Sequence, residues 1–336
     1  MAAGAKKQHA LPSINVCPHP WLAVPAGTAE LRGPGVRLMI VSVCADKASS
    51  PSSAGVSTLA LALAMAWPGD RLVLEADPSG GDALFRLPHP DGGLLRPEPT
   101  LLSLTADARA HLEPQSLPAY AQPTSLGVPV ILGPPTPEAF APTGPQWPRL
   151  AEAAAGWDGV VLADLGRLHP RHAAAAAFLP LSHAVVLLTT ADVAGLYRLR
   201  ERVAMLAGQV APASDVASRV LVAVRTTRSQ RRQAMTQVAA LLDSIGSPAL
   251  LAGAVLDDAR AATAIRSGTS PTHRRAHAGL LSSGRELIPA LGALGVLPSS
   301  SHGADFFPTR DLIDDAQHGA GATVHASQVL GRERRP

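Results

Sequence analysis

The stretch that most constrains the fold of this chain is residues 36–82, where two apolar segments flank a loop of small residues and an apolar helical pattern. Residues 36–44 are largely apolar and predict a buried strand, and residues 72–76 predict a second strand that ends in acids. Between them, the pattern predicts a helix that begins at Val56 and that Pro68 ends. The stretch therefore predicts a strand–helix–strand unit with a small-residue turn before its helix.

The turn before this helix has the composition of a phosphate-binding loop. Small residues let backbone N–H groups approach an anion, and the N-terminus of the helix directs its positive dipole end at the same point. The standard loop reads G-x-x-x-x-G-K-[ST]. Here Gly55 and Ser57 match that pattern, whereas Ser50 stands at the first glycine and Val56 stands at the lysine. We predict that residues 55–58, which end at Thr58, supply the backbone N–H groups that hold phosphate.

The missing lysine bears on catalysis. Its ammonium normally reaches the β- and γ-phosphates, so Val56 predicts weaker triphosphate binding and still weaker hydrolysis. Lys47 lies at the front of the loop and is one of only three lysines among the 29 basic residues. It either supplies part of the missing charge or is a solvated loop residue.

The rest of the chain alternates between strand-like and helical patterns. Further strands are predicted at residues 128–132, 159–163, 184–188, 220–224 and 250–255, and helices at residues 147–155, 192–207, 229–244, 258–267 and 272–294. Strands that are apolar throughout and alternate with helices predict an α/β fold, with a mainly parallel sheet and helices on both faces. In such a sheet the loops that follow the strands meet along one edge, where ligands bind.

Composition predicts one large domain between two tails. Apolar residues make up 46% of the chain, which is enough for a sizeable core, but aromatic residues make up only 3%, so the core consists mainly of Ala, Leu and Val. We predict a flexible tail at residues 1–35, the α/β domain at residues 36–297 and a polar tail at residues 298–336. The second tail contains one short helical pattern, at residues 311–317.

Charge and residue usage argue against several classes of protein. A net charge of +3 gives no global electrostatic reason to bind nucleic acid. The two cysteines and 12 histidines show no metal-binding spacing. The N-terminus lacks the apolar core of a signal peptide, and Pro180 and His183 divide the longest apolar stretch, residues 173–191. These features predict a cytoplasmic protein with no integral membrane segment.

Acids follow two of the predicted strands at the shared edge. Asp77 and Asp82 follow the second strand of the opening unit, and Asp164, with Gly166 two residues later, ends a strand further along. Folds with such loops hold Mg²⁺ or its waters on an aspartate at this place, and the glycine can respond to a γ-phosphate. We predict that Ser57, Asp77 and Asp164 hold Mg²⁺ with ATP. The alternative is that each carboxylate only stabilises a helix N-terminus.

A dinucleotide site is a rival use of the same geometry. Acids lie about twenty residues beyond the glycine-bearing turn, as that kind of site requires. Residues 44–55 contain no G-x-G-x-x-G, and the turn is too long for close approach to a pyrophosphate. The residues therefore favour the phosphate loop.

The order of these motifs over residues 36–297 resembles the ParA/MinD family of P-loop ATPases. The closing segment is the most specific part, because a final strand leads to a short acidic loop, a helix and a small-residue break. The matching segments read VLEADPSGGD, GVVLADLG, HAVVLLTT, VLVAV and LAGAVLDDARAATAIRSGTSP. The resemblance implies a P-loop NTPase fold of the deviant Walker A type, ATP and Mg²⁺ as ligands, and a homodimer that sandwiches nucleotide.

The resemblance also implies roles for individual residues. Lys47 matches the signature lysine, which reaches across the dimer in that family, and Val56 stands where the second lysine is found. Arg225 occupies the position after a strand where relatives often carry an asparagine for base recognition, and Asp257 lies in the closing acidic loop. The candidate catalytic residues are Lys47, Asp82 and Asp164.

Two hypotheses for function follow from the resemblance. The first is a cytoplasmic switch that positions chromosomes, plasmids, division sites or secretion and pilus machinery, as an ATP-dependent dimer with weak or absent hydrolysis and with an unidentified protein partner. The second is a nucleotide-free pseudo-ATPase that acts as an interaction scaffold. Gly55, Ser57 and the acids favour the first hypothesis, whereas Val56 and the long loop favour the second.

A group of arginines raises non-specific DNA as a further partner. Phosphate neutralisation by such a group gives weak, salt-dependent binding, whereas arginines on helix faces are commonly just solvated. The group consists of Arg198, Arg200, Arg202, Arg219, Arg225, Arg228, Arg231 and Arg232.

Overall fold

The predicted strand–helix–strand unit forms the centre of the fold. The computed structural model describes residues 39–47, 53–169, 171–210, 219–269 and 274–294. Its strands are β1 (Ile40–Ala45), β2 (Arg71–Glu75), β3 (Val130–Ile131), β4 (Val160–Arg167), β5 (Ala184–Thr190), β6 (Val220–Thr226) and β7 (Leu250–Leu256). Its helices are α1 (Val56–Ala66), α2 (Ala83–Arg86), α3 (Leu101–Asp107), α4 (Pro137–Phe140), α5 (Trp147–Gly156), α6 (Ala173–Leu181), α7 (Val193–Ala207), α8 (Arg231–Ser244), α9 (Ala259–Arg266) and α10 (Arg274–Ala293).

The strands form one parallel sheet in the order β3-β2-β4-β1-β5-β6-β7. The α/β class and the parallel sheet predicted from the apolar runs are confirmed. β1 lies in the middle, where Val41 is opposite Leu162 of β4 and Ala184 of β5. The carboxyl end of β1 is therefore flanked by the carboxyl ends of two other strands.

Helices cover both faces of the sheet, as predicted. Alternate residues of β1 point to opposite faces because the strand has a period of two. Ile40 and Cys44 pack into the apolar cluster that includes residues of α5, α6, α7 and α8. Val41 and Val43 pack into the second cluster, with residues of α1, α9 and α10. Since both faces are covered, β1 is buried along its whole length.

The helix α1 is buried on almost every side. Gly55 is its N-cap, and of its first nine residues only Ser57 is not fully buried. The helix ends at Ala66, two residues before Pro68, because a proline ring disfavours helical backbone in the residue that precedes it. Its alanine content lets α10 lie close, since a Cβ on Gly284 of α10 would be only 2.9 Å from the carbonyl oxygen of Ala62.

The third strand is shorter than the pattern predicts. Only Val130–Ile131 forms β3, whereas residues 128–132 were expected to pair. Pro129 has no N–H to donate and only accepts, through its carbonyl oxygen, from the N–H of Val73 at 2.9 Å. The proline-rich stretch at residues 87–127 contains only short helices and loops, as predicted.

The two predicted tails and the helical pattern at residues 311–317 lie outside the described residues. The domain boundaries at residues 35 and 297 therefore stay predictions. Within the described ranges, no helix is long and apolar enough to cross a membrane.

Candidate functional site

The carboxyl end of β1 lies at the point where the chain reverses its direction across the sheet. From β1 the chain proceeds through α1 to β2, on the β4 side, whereas β5, β6 and β7 extend on the other side. Ligands of open parallel sheets bind at such a crevice. The candidate residues that follow β1, β2, β6 and β7 all lie at this edge.

The first turn of α1 lies beside β4. The Ser57 side chain is close enough to the Asp164 carboxylate to favour its charged form, and the N–H of Gly166 donates to Oδ1 of Asp164 at 3.0 Å. Asp164 is only 2% exposed. The structure thus brings together two of the three predicted magnesium ligands at the start of α1.

Asp164 lies inside β4 and does not end it, which corrects the prediction that the strand stops just before this residue. β4 continues to Arg167, and Arg167 pairs with Ala45 across a register shift in β1. Leu165, the residue after Asp164, is 1% exposed, and its burial keeps the chain in the sheet. Asp164 is consequently more deeply buried than a residue in a loop would be.

The Asp77 carboxylate lies over Gly166. A Cβ on Gly166, whose φ is +58°, would be 2.1 Å from Cγ of Asp77. Oδ1 of Asp77 also accepts from the N–H of Ser79 at 2.8 Å, which fixes the turn after β2. Asp77 is therefore next to the β4 segment that carries Asp164, as the sequence predicts for a shared edge.

A second buried acid, Glu75, lies beside Asp164. The two residues are direct neighbours in the pairing of β2 with β4. The Glu75 carboxylate accepts from the N–H of Ala83 at 3.2 Å and of Gly133 at 3.0 Å. It thereby ties the end of the segment that carries Asp77 to the residues that follow β3. One sequence signal could have indicated this role, since Glu75 is the only acid within the otherwise apolar strand predicted at residues 72–76.

Burial dominates the protonation of both acids. Loss of solvent raises the pKa of Asp164 to about 7, with smaller contributions from the charges of Asp77 and Asp82, while the bonds from Ser57 and Gly166 lower it. Burial likewise raises the pKa of Glu75 to about 7, and the Asp164 charge adds to this shift. Near pH 7 the edge thus contains two acids that readily gain or lose a proton.

We expect Asp164→Asn to reduce the pH dependence of stability. An unfolded aspartate has a pKa near 4, so between about pH 4 and pH 7 the folded state binds more protons and its stability falls as pH rises. Each proton involved contributes about 1.4 kcal/mol per pH unit. Urea unfolding from pH 5 to pH 8 should show a flatter profile and a gain in stability at pH 8. The exposed Asp243→Asn is the control, and equal slopes for all three proteins would contradict the effect.

Val56 and Thr58 are both buried in the core face of α1, at 8% and 2% exposure. Their side chains contribute to packing, so any contact with a phosphate would be through their backbone N–H groups, and this role stays a prediction. Gly55, with extended backbone at the N-cap, lies between them and the loop. Residues 48–52 of the loop lie outside the described residues.

Two of the predicted cofactor-binding residues, Asp257 and Arg225, contact the loop that precedes α1. Oδ1 of Asp257 accepts from the Ser53 hydroxyl at 2.7 Å and from the N–H of Ala54 at 3.4 Å. Nη1 of Arg225 donates to the carbonyl oxygen of Ala54 at 3.4 Å. The structure therefore places Asp257 and Arg225 against the residues that immediately precede Gly55.

Lys47 lies on the wall of a cleft of about 500 Å³ at the ends of β1, β5 and β6. Its side chain is exposed. Arg225 and Arg198 also line this cleft, and Nε of Arg198 pairs with the buried Oδ2 of Asp46 at 2.8 Å. The Asp46–Arg198 pair was missed from the sequence, because its members are 152 residues apart.

Asp82 is turned away from the Ser57–Asp164 pair. It is the N-cap residue of α2, and its carboxylate forms an ion pair with Arg86 one turn later. Its side chain is 61% exposed. Asp82 influences Asp164 only through its charge in this conformation, and its catalytic role stays a prediction.

The eight arginines do not form one surface. Arg198 and Arg225 line the cleft, whereas Arg219 precedes the opposite end of β6, roughly 20 Å away along the strand. Arg231 of α8 pairs with Glu286 of α10 at 2.8 Å. Non-specific DNA binding stays a prediction, with fewer of these residues available to one DNA face.

The oxygen ligands at the start of α1 fit Mg²⁺. Mg²⁺ is commonly bound by one or two carboxylates together with substrate phosphates and water, and a hydroxyl beside a carboxylate is a hard oxygen donor set. Ser57 and Asp164 provide that set, with Asp77 close by. Among the residues that the structure describes, no group of three or more His, Cys, Asp or Glu side chains is arranged to hold a metal ion by itself.

The parallel sheet, with a small-residue turn that leads from its central strand into α1, is the fold of the P-loop NTPases. No family model matches the chain, and no curated protein matches it in sequence. The fold is shared with a ParA family ATPase from Chlorobium tepidum TLS, with a TM-score of 0.56 and 16% identity over 73% of this chain and 98% of that one.

Two further solved structures share the fold at similar levels. The septum site-determining protein MinD from Pyrococcus horikoshii, in complex with Mg-ADP, has a TM-score of 0.52 and 15% identity over 76% of this chain and 98% of its own. McdA from Cyanothece, in an ATP complex, has a TM-score of 0.51 and 15% identity over 80% of this chain and 100% of its own. The predicted resemblance to the ParA/MinD ATPases is thus confirmed at the level of the fold.

Proposed function

We propose that this protein is a nucleotide-dependent switch that binds Mg-ATP at residues 55–58 and positions cellular cargo in the cytoplasm. The observation that carries the proposal is the proximity of Ser57, in the first turn of α1, to the buried Asp164, whose charged form it favours. It brings the turn that would hold phosphate next to the strand that would hold the metal. Structures with the same fold are described as MinD with Mg-ADP and McdA with ATP, which supports the choice of ligand.

Each part of the site has a chemical task in this proposal. The backbone N–H groups at the start of α1 bind phosphate oxygens, and Ser57 with Asp164 and Asp77 holds Mg²⁺ or its waters. The metal neutralises phosphate charge when bound. Gly166 contacts both Asp164 and the Asp77 carboxylate. In this proposal, a movement of Gly166 on loss of the γ-phosphate would therefore displace both acids.

Calorimetric titration of Mg-ATP and Mg-ADP into the full chain tests the proposal directly. Binding of either nucleotide at one site per chain supports it. The rival function, a nucleotide-free interaction scaffold, is favoured by the burial of Val56 at the lysine position. Absence of binding by both nucleotides would support that scaffold.

We expect hydrolysis to be feeble and Val56→Lys to increase it. Positively charged groups placed beside the transferring phosphoryl group are the main catalytic device in this chemistry. The loop lacks one of them, because Val56 stands at the lysine position. Phosphate release under saturating Mg-ATP measures the effect. Val56→Met is the matched control, because it has similar length and no charge. Wild-type turnover of about 1 per second or faster, in the range of kinases, would contradict the prediction.

We expect ATP to induce a homodimer through Lys47. A triphosphate enclosed between two subunits needs cations from both sides, and Lys47 is the exposed lysine at this edge. Light scattering with and without Mg-ATP should show a mass increase for the wild type and for the exposed control Arg200→Ala. Lys47→Ala should remain monomeric, and an ATP-dependent dimer of that variant would remove Lys47 from the interface.

A further inference from the structure

Asp257 places a negative charge at the loop that enters α1. Its Oδ1 accepts from the Ser53 hydroxyl at 2.7 Å and lies 3.4 Å from the N–H of Ala54, two residues before the helix begins. The N–H of Ala54 directly precedes residues 55–58, the donors proposed to bind phosphate, and N–H groups of such a turn attract anions. A carboxylate of the protein itself thus lies directly beside the place proposed for a phosphate.

The position of Asp257 is fixed from behind. Its N–H donates to the carbonyl oxygen of Thr226 at 2.9 Å, so the residue continues the pairing of β7 with β6. The preceding residue, Leu256, donates its N–H to the Ser283 hydroxyl of α10 at 2.9 Å. Asp258, not Asp257, caps α9 by accepting from Ala261 at 3.0 Å. The Asp257 side chain is therefore free of any capping role, and its contacts are to the loop.

We propose that Asp257 competes with the phosphate groups of the nucleotide for the loop before α1. Its carboxylate must then leave Ser53 and Ala54 before a triphosphate binds fully. This inference rests on the proposed function and specifies the regulation of that same site. Two negative charges at one set of donors disfavour each other, while the carboxylate stabilises the loop when nucleotide is absent. The state in which Asp257 is bonded to Ser53 and Ala54 is then the resting state of the switch.

The decisive variant is Asp257→Asn, which keeps the shape of the side chain and removes its charge. Because Asp257 is exposed, solvent screens part of the repulsion, and we expect about tenfold tighter binding of Mg-ATP. The exposed Asp243→Asn is the charge-matched control and should leave affinity unchanged. Circular dichroism and the unfolding midpoint verify that the fold of each variant is intact.

Tripolyphosphate with Mg²⁺, which lacks a base, separates competition from base recognition. Competition predicts that Asp257→Asn tightens binding of tripolyphosphate and of Mg-ATP by the same factor. Weaker ATP binding with unchanged tripolyphosphate binding would make Asp257 a ligand of the base and overturn the inference. Equal affinities of wild type and variant for both probes would overturn the inference alone, since binding itself persists. No binding of either probe to either protein would overturn the inference together with the proposed function.

Hydrogen exchange at the Ala54 amide provides a second measurement that needs no ligand. The wild-type amide should exchange more slowly than the amide in Asp257→Ala, because the variant has no acceptor at this position. Indistinguishable exchange in the two proteins would overturn the inference, because the carboxylate would then not restrain the loop.

Discussion

Gly55→Arg is expected to abolish Mg-ATP binding while the protein remains folded. The backbone of Gly55 is extended, with φ of −90°, which any residue adopts, so the substitution causes little backbone strain. An arginine side chain at the N-cap of α1 fills the space that a phosphate needs next to the N–H groups. Hydrogen bonds to a charged group contribute about 1.5–3 kcal/mol each, so loss of two corresponds to an affinity loss of about 100-fold or more.

Gly208→Arg is the matched control for this variant. Gly208 is the exposed C-cap residue of α7, with φ of −88°. The atom nearest to a Cβ added at Gly208 would be the Met205 carbonyl oxygen, at 3.7 Å. Gly208→Arg carries the same added charge and bulk far from α1. Calorimetry should therefore give wild-type affinity for Gly208→Arg. Unchanged affinity in Gly55→Arg would place the nucleotide elsewhere on the protein.

Gly166→Ala is expected to produce the largest loss of stability, about 2–5 kcal/mol. Two effects add up at this position. The left-handed backbone at φ of +58° costs about 1–2 kcal/mol for any residue with a Cβ. The new methyl group would also overlap the Asp77 carboxyl group at 2.1 Å, which adds about 1–3 kcal/mol of strain. Urea unfolding measures the sum.

Gly246→Ala separates the two effects. Gly246 has nearly the same φ, +57°, but no atom lies within 4 Å of a new Cβ. It should therefore show the backbone cost only. In the background of Asp77→Ala, the cost of Gly166→Ala should fall towards that of Gly246→Ala, because the overlapping carboxyl group is gone. Equal losses for Gly166→Ala and Gly246→Ala in the wild-type background would show that Asp77 moves away freely.

The sequence predicts the framework well because the framework depends on local patterns. The helix α1 begins at Val56 as predicted, and it ends shortly before the proline that cannot continue it. Each predicted strand is found, since fully apolar runs indicate burial on both faces irrespective of their partners. The exception, β3, is shortened because Pro129 removes a hydrogen-bond donor that a count of apolar residues does not register.

The contacts of the site could be predicted only in part, because they join distant segments. Residue types at the sheet edge indicated Asp77, Asp164 and Ser57, and the fold brings Ser57 and Asp164 together, with Asp77 close by. The contact between Ser53 and Asp257 spans 204 residues and depends on the register of β6 with β7, which no local pattern specifies. Likewise, the burial of Asp164 within β4 depends on its pairing with Val43 of β1 and Glu75 of β2, which no local pattern specifies.

The close approach of α10 to α1 couples the positions of the two helices. With Gly284 lying against Ala62 and no room for even a methyl group between them, α1 cannot shift sideways without moving α10. α10 also packs on α9 and β7, and through Ser283 it is bonded to the residue before Asp257. A displacement of α1 would therefore also move α10, which extends to Ala293.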